Sequence, residues 1–360
     1  MNNPHNMWAS ADQSVIYQTQ WFGDKLTVFN RTTGLIVRNI TVGEAPAHVM
    51  TRVDTDEVHV SLNGEGVVKE LGPLSSNNDV RRTILTQSSG DNPAQPHAHW
   101  MSHDGLTMVT PNSNTNDSTM INVPLNTIEA KTPAGFLPIA SSMMPDASKY
   151  YVSNYLDSSI TCISISTTPA LMCQSGGAGV ATKTIPLLLG GTGFANYDPI
   201  AGTGFGTSGG LPIQTPVSPD GQFIVTANTL TATITIIDTA TDIVVAVLPC
   251  SAGCHGANFG AKLGGGYYAY VSSKFSNDLL VVDLNGAAST VVVRVILAAS
   301  GTSVDDTSGA ITLAGMGGQG VLPVPNVYNG WVQKLPKSFC DQLSPEQRNQ
   351  LGNLPSENCP

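Results

Sequence analysis

One unit recurs along this chain, and an internal repeat constrains the fold more tightly than any single motif. The clearest copy reads Val217-Ser218-Pro219-Asp220-Gly221, then Phe223-Ile224-Val225-Thr226-Ala227-Asn228, then Thr233 to Asp238 and Ile243 to Leu248. The Pro-Asp-Gly turn has a mechanical origin, because proline presets φ and glycine accepts a positive φ. Short β-rich strands follow, separated by turns of the T-x-x-G or T-x-T-D kind. A first copy opens at Pro4-His5 with strands over Val15 to Gln18, Leu26 to Asn30 and Leu35 to Val42. A second opens at Pro46-Ala47-His48, with Glu57 to Leu62 and Val67 to Leu71. The third opens at Gln95-Pro96-His97-Ala98-His99-Trp100 and continues through Thr107 to Thr110 and Thr119 to Val123. The fourth opens at Pro138, with Tyr150 to Asn154 and Ile160 to Ile165. The sixth starts at His255, with Tyr267 to Ser272, Asp278 to Asp283 and Thr290 to Leu297.

Stacked copies of a three- or four-stranded unit predict an all-β fold, a β-propeller with sequential antiparallel blades. Six repeats are clear, and the expected number of blades is seven. The seventh is incomplete or closed by the termini, with Gly320 to Val324 and Trp331 to Gln333 as its remaining strands. The expected organisation is a propeller over residues 1–335, interrupted by an insertion loop at 174–210, and a C-terminal tail over 336–360. Within the tail, Ser344-Pro345-Glu346-Gln347 is a capping-box start with proline at the first helical position, which predicts one short helix.

The histidines fall at repeated places. Fifteen positions back from Gln20, Asn63 and Asn112 lie His5, His48 and His97, and thirteen back from Asn112 lies His99. His255 stands nineteen before Lys274, the excess matching glycine-rich Gly260 to Gly266. His97 and His99 are two apart, which on a regular strand places both rings on one face. The innermost strand of a propeller blade begins at one mouth of the axial channel, so equivalent positions converge there. Several neutral imidazoles with few carboxylates suit Cu, Zn, Fe or Ni rather than Mg or Ca. His5, His48, His97, His99 and His255 are therefore the candidate metal ligands. His59, mid-strand in Val58-His59-Val60, reads as structural, and His103, in a turn, as solvated.

Six cysteines form three local pairs in the sequence, Cys162 with Cys173, Cys250 with Cys254, and Cys340 with Cys359. Disulfides at this spacing in a chain with only 12% charged residues point to an oxidising, periplasmic or extracellular compartment. The segment Cys250 to His255 has a rival reading, because C-x-x-C-H attaches c-type haem, although here the spacing carries one extra residue. The formal net charge is −10 without any Lys/Arg cluster, which speaks against nucleic acid as a partner. No apolar run is long enough to span a bilayer.

Tyr151-Val152-Ser153-Asn154 is close to the signature of the YVTN family of β-propellers, and the repeat as a whole resembles that family. The placement of histidines is similar to that in the copper propellers of nitrous oxide reductase and thiocyanate dehydrogenase. His255, Phe259, the glycine-rich turn and Tyr268-Ala269-Tyr270 resemble the pattern His-x-x-Phe-x-Gly-x-Gly-x-Ala-Tyr with an insertion. The resemblance implies a copper oxidoreductase acting on a small-molecule substrate, with copper on the five histidines and a separate electron carrier. Two repeats lack histidine and the cupredoxin domain of nitrous oxide reductase is absent, so the resemblance fixes no substrate. The alternative is a non-catalytic YVTN-type surface scaffold, and the third reading is the haem protein.

Overall fold

The computed structural model describes residues 4–88, 92–188, 209–297, 318–324 and 337–349, together with short strands at Thr302–Val304 and Ile311–Leu313. The chain divides into two compact units, Met1–Pro133 with Gly260–Gly266 and Leu322–Pro360, and Ala134–Phe259 with Tyr267–Val321.

Six antiparallel sheets, each a meander in chain order, carry the repeat. Blade 1 is Pro4–Ala9, Val15–Gln20, Lys25–Asn30 and Ile36–Thr41. Blade 2 is Pro46–Thr51, Val58–Leu62, Val67–Leu71 and Val80–Leu85, and blade 3 is Trp100–Met101, Thr107–Asn112, Asp117–Asn122 and Thr127–Pro133. Blade 4 is Pro138–Met143, Lys149–Asn154, Ser159–Ser164 and Thr182–Pro186. Blade 5 is Phe223–Asn228, Thr233–Asp238 and Ile243–Pro249, with its leading segment held by bridges from Pro212 to Asn228 and Val217 to Ile224. Blade 6 is Cys254–Ala261, Tyr267–Ser273, Asp278–Asp283 and Thr290–Ile296.

Burial follows position in the blade. Val58–Leu62 and Lys149–Asn154 are buried at every residue, whereas outer strand Ile36–Thr41 alternates between exposed and half-buried. A strand covered on both faces reads as a continuous buried run, and an outer one as an alternation. The Ser-x-Asp turns are built alike. Ser10, Ser102 and Ser218 donate to Asp12, Asp104 and Asp220 at 2.8, 2.5 and 2.5 Å, and each carboxylate takes a backbone N–H two residues on. Glycine fills the left-handed position that follows in two of them, Gly105 and Gly221, both at φ 72°. Neighbouring blades within a unit are tied by a hydroxyl near the end of each second strand. Thr19 donates to the Ala47 carbonyl at 2.7 Å, and Ser153 to that of Ile213 at 2.8 Å.

Each leading segment carries the same irregularity. Pro4, Pro46, Pro96, Pro138 and Pro212 pair with Gln20, Leu62, Asn112, Asn154 and Asn228, the residues that end or nearly end the second strand. Further along each pairing, the leading segment has one residue more than its partner, a β-bulge just after the proline. Proline is tolerated there as the first residue of a strand, where no ladder N–H is required.

Several expectations are modified. Among the described residues there are six blades, not seven. Residues 318–324 form no strand, and Trp331 to Gln333 lie outside the described residues. The segment expected as a loop from residue 174 begins with the hairpin Cys173–Ser175 and Ala178–Val180, and Thr182–Pro186 closes blade 4 as its outer strand. The burial alternation of Thr-Lys-Thr-Ile-Pro, with Ile185 inward, supplies that strand. The capping box forms as read. Gln347 N donates to Ser344 Oγ at 3.2 Å, Ser344 N donates to Gln347 Oε1 at 2.8 Å, and a helix runs over Pro345–Asn349. A second single helical turn, Lys337–Cys340, precedes it. Disulfides join Cys162 to Cys173 and Cys250 to Cys254, and no described cysteine is free. Cys359 lies outside the described residues. No described helix is long and apolar enough to cross a membrane.

Candidate metal centre

Three imidazoles from three successive blades meet at the repeated bulge. His5, His48 and His97 each offer a ring nitrogen, and these three atoms all lie within 4.8 Å of one another. Nε2 of His5 is 3.1 Å from Nε2 of His97. Ring centroids are 5.6 Å apart for His5 and His48, 5.1 Å for His5 and His97, and 5.1 Å for His48 and His97. His48 is buried and the other two are half-buried.

The bulge explains how residues at unequal positions come together. His5 and His97 directly follow their prolines, but His48 follows Pro46 by two, because Leu62 and not Asn63 occupies the place of Gln20 and Asn112. The histidine count in blade 2 was therefore anchored one residue late. An extra residue in the strand re-aims its side chains, so His48 reaches the same point from the neighbouring position. Its backbone N–H is held by Ser61 Oγ at 2.9 Å, and the same hydroxyl donates to the His97 carbonyl. Ser61 thus anchors two of the three histidine-bearing segments.

The same bulge separates His97 from His99. Pro96 pairs with Asn112, yet Trp100 pairs with Val109, so one extra residue lies between Pro96 and Trp100 and regular alternation does not carry through. His99 is not among the three grouped ring nitrogens. It is 1% exposed, and burial pushes its pKa down to about 3. His255 lies in the second unit, where its Nδ1 donates to the Gln319 carbonyl at 3.0 Å. In the neutral ring this fixes the lone pair on Nε2.

Trp21, which sequence reasoning passed over, packs against the cluster. Its ring is 5.1 Å from that of His5 and 5.6 Å from that of His97, tilted by 52° in both cases. The available signal was its place directly after Gln20, the residue paired with Pro4, which puts it at the His5 end of the blade. His59, read as structural, is wholly buried and bonded to Glu70 at 3.0 Å.

The donor set fits a transition metal. Two imidazole nitrogens on one ion at about 2.0–2.1 Å stand roughly 2.8–3.4 Å apart for angles between a right angle and tetrahedral. The 3.1 Å between His5 and His97 lies in that interval. The haem reading of Cys250 and Cys254 is overturned, because the two sulfurs are bonded to each other and cannot also form thioether links.

No protein-family profile matches the sequence, and no curated relative matches it. Solved structures do match in shape. Kuenenia stuttgartiensis hydrazine synthase superposes with a TM-score of 0.62 at 14% identity, over 88% of this chain and 96% of that one. A streptogramin B lyase gives 0.60 at 11% identity, over 82% and 84%. The virginiamycin B lyase of Staphylococcus aureus gives 0.58 at 12% identity, over 79% and 82%. Identities this low speak to architecture alone, and together with the repeated four-stranded meanders they establish that the chain has the β-propeller fold.

Proposed function

We propose that this chain is a secreted or periplasmic copper protein in which His5, His48 and His97 hold the metal. The observation that carries the reading is the convergence of three imidazoles from three blades, two of them at 3.1 Å. Three nitrogen donors without a carboxylate favour copper or zinc over hard cations, and the resemblance of the histidine placement to copper propellers supports copper. The two disulfides support an oxidising compartment. On this reading residues 1–335 are the propeller and 336–360 a tail closed by Cys340 and Cys359. Bound copper would supply one-electron chemistry toward a small molecule, with a separate protein carrying the electrons. The chain's own part is to fix the imidazoles. Ser61 holds the backbone on which His48 and His97 stand, and Trp21 covers the His5 and His97 rings.

Electron paramagnetic resonance of the Cu(II)-loaded protein tests the reading. Hyperfine structure from three nitrogens is expected, falling to two in His48→Ala with the fold retained. A spectrum of aqueous copper in the intact protein would leave the scaffold reading, in which His5 and His97 share only a proton between their rings.

A further inference from the structure

The interface between blades 2 and 3 contains imidazole nitrogens that the trihistidine centre does not use. His59 is wholly buried. Its Nε2 is bonded to Glu70 at 3.0 Å, and Glu70 is gripped by Arg82 through two bonds of 2.8 and 2.7 Å. A carboxylate held by arginine accepts, so Nε2 of His59 donates to it, and in the neutral ring the lone pair is on Nδ1. That Nδ1 and both ring nitrogens of His99 are buried without a hydrogen-bond partner. An unsatisfied buried polar group is costly, and three of them in one interface point to a species that engages them.

Both residues stand on the surfaces that blades 2 and 3 turn toward each other. Asn63 donates to the Gln95 carbonyl at 3.1 Å and Ser61 to that of His97, so the second strand of blade 2 runs antiparallel past the leading segment of blade 3. His59 lies two residues before Ser61 on that strand, and His99 two residues after His97 on the segment facing it. Faces agree as well. Arg82, in the cross-strand row of His59, donates to the Val123 carbonyl of blade 3 at 2.8 Å. The register of Trp100 with Val109 sets His99 beside Thr110, whose partner Thr119 donates to the Thr86 carbonyl behind blade 2 at 2.8 Å.

Two thioethers stand on the same facing surfaces. Met50 is the direct cross-strand partner of His59 and is 2% exposed. Met101 follows His99 by two residues on its side of the strand and is fully buried. Imidazole with thioether is a soft donor set that selects Cu(I) over hard cations. A histidine whose second nitrogen donates to a carboxylate is the usual arrangement of a metal ligand and its outer shell. We propose that His59, His99, Met50 and Met101 form a second, interior site for a soft monovalent cation of the Cu(I) and Ag(I) class, with Glu70 and Arg82 orienting His59. This site is independent of the trihistidine centre.

Equilibrium titration with Ag(I) against a competing chelator tests it, in a His5→Ala/His48→Ala background that removes the other centre. That background is expected to keep one tightly held Ag(I) per chain. Met50→Leu/Met101→Leu, which conserves volume and so preserves the core, should weaken binding ten-fold or more. Glu70→Gln should weaken it about 10–100-fold. X-ray absorption of the Cu(I)-loaded background should show sulfur as well as nitrogen scatterers. The proposal is overturned if the background holds no tight Ag(I). It is also overturned if affinity is unchanged by the two methionine substitutions, which would mark the pair as ordinary core packing beside rings satisfied by buried water.

Discussion

Replacing Asp242 with asparagine should destabilise the protein far more than a single lost ion pair on the surface. The carboxylate takes Lys149 Nζ at 3.1 and 3.0 Å, the Tyr151 hydroxyl at 2.6 Å and the Gln174 backbone N–H at 2.6 Å. The side chains of Lys149 and Asp242 are 4% and 0% exposed. At 3 Å and an effective dielectric constant near 20 the attraction is roughly 5 kcal/mol, most of it offset by the desolvation of both ions. Intact, the pair contributes little net stability. Broken from one side, it leaves an ammonium buried between blades 4 and 5 with two carbonyls, of Thr239 and Met172, as its remaining acceptors. The expected cost is about 3–5 kcal/mol. Asparagine keeps the shape but offers one acceptor oxygen where the carboxylate presents Oδ1 to Tyr151 and Oδ2 to Gln174, so one of those bonds is lost together with the charge. Lys149→Met in the same background should recover most of it. Urea unfolding under non-reducing conditions reads both variants, with an unchanged m-value as the check that the transition is comparable. A cost below about 1 kcal/mol for Asp242→Asn, or no recovery in the double variant, would refute the reasoning.

Acid stability should depend on Glu70. Burial alone would raise its carboxyl, but the bonds from His59 and Arg82 outweigh this and hold it down to about 2, from an ordinary 4.5. Its contribution is complete above pH 4.5 and is lost as pH falls toward 2, at most about 3 kcal/mol. Glu70→Gln should flatten the stability profile in that window and leave the slope above it unchanged. Trp21, packed 5.1 Å from His5, should lose fluorescence when Cu(II) binds, and Trp21→Phe should remove the quenched component while the other tryptophans keep theirs. Ser344→Ala deletes one bond of the capping box and should cost the tail helix roughly 0.5–2 kcal/mol. Faster amide exchange over Pro345–Asn349, with the blades unaffected, is the expected signature.

The blades were legible because their punctuation is local. Pro219-Asp220-Gly221 and Ser102 to Gly105 fix turns through their own backbone preferences, and the strands between them alternate or run apolar as burial demands. The helix at Pro345 was legible for the same reason, its cap being written in four consecutive residues. Site geometry was only partly so. Periodicity supplied the histidines, but a count along the chain assumes regular pairing. The bulge after each proline breaks that assumption. It shifts His48 by one place relative to His5 and His97, and it breaks the alternation that would have put His99 on the face of His97. Trp21 and Ser61 owe their roles to contacts across blades, which no local pattern encodes. The same holds for Lys149 and Asp242, whose pairing links residues 93 positions apart.

The central claim is that His5, His48 and His97 act together as one metal centre. Cu(II) affinity, measured by competition with a chelator of known strength, tests it most directly when the intact chain is compared with single and triple alanine variants. The account predicts one strong Cu(II) site per chain, weakened by more than ten-fold by any single substitution and abolished by all three. Affinity should also fall as pH drops and the imidazoles protonate. Equal Cu(II) affinity in the intact chain and the triple variant would contradict it.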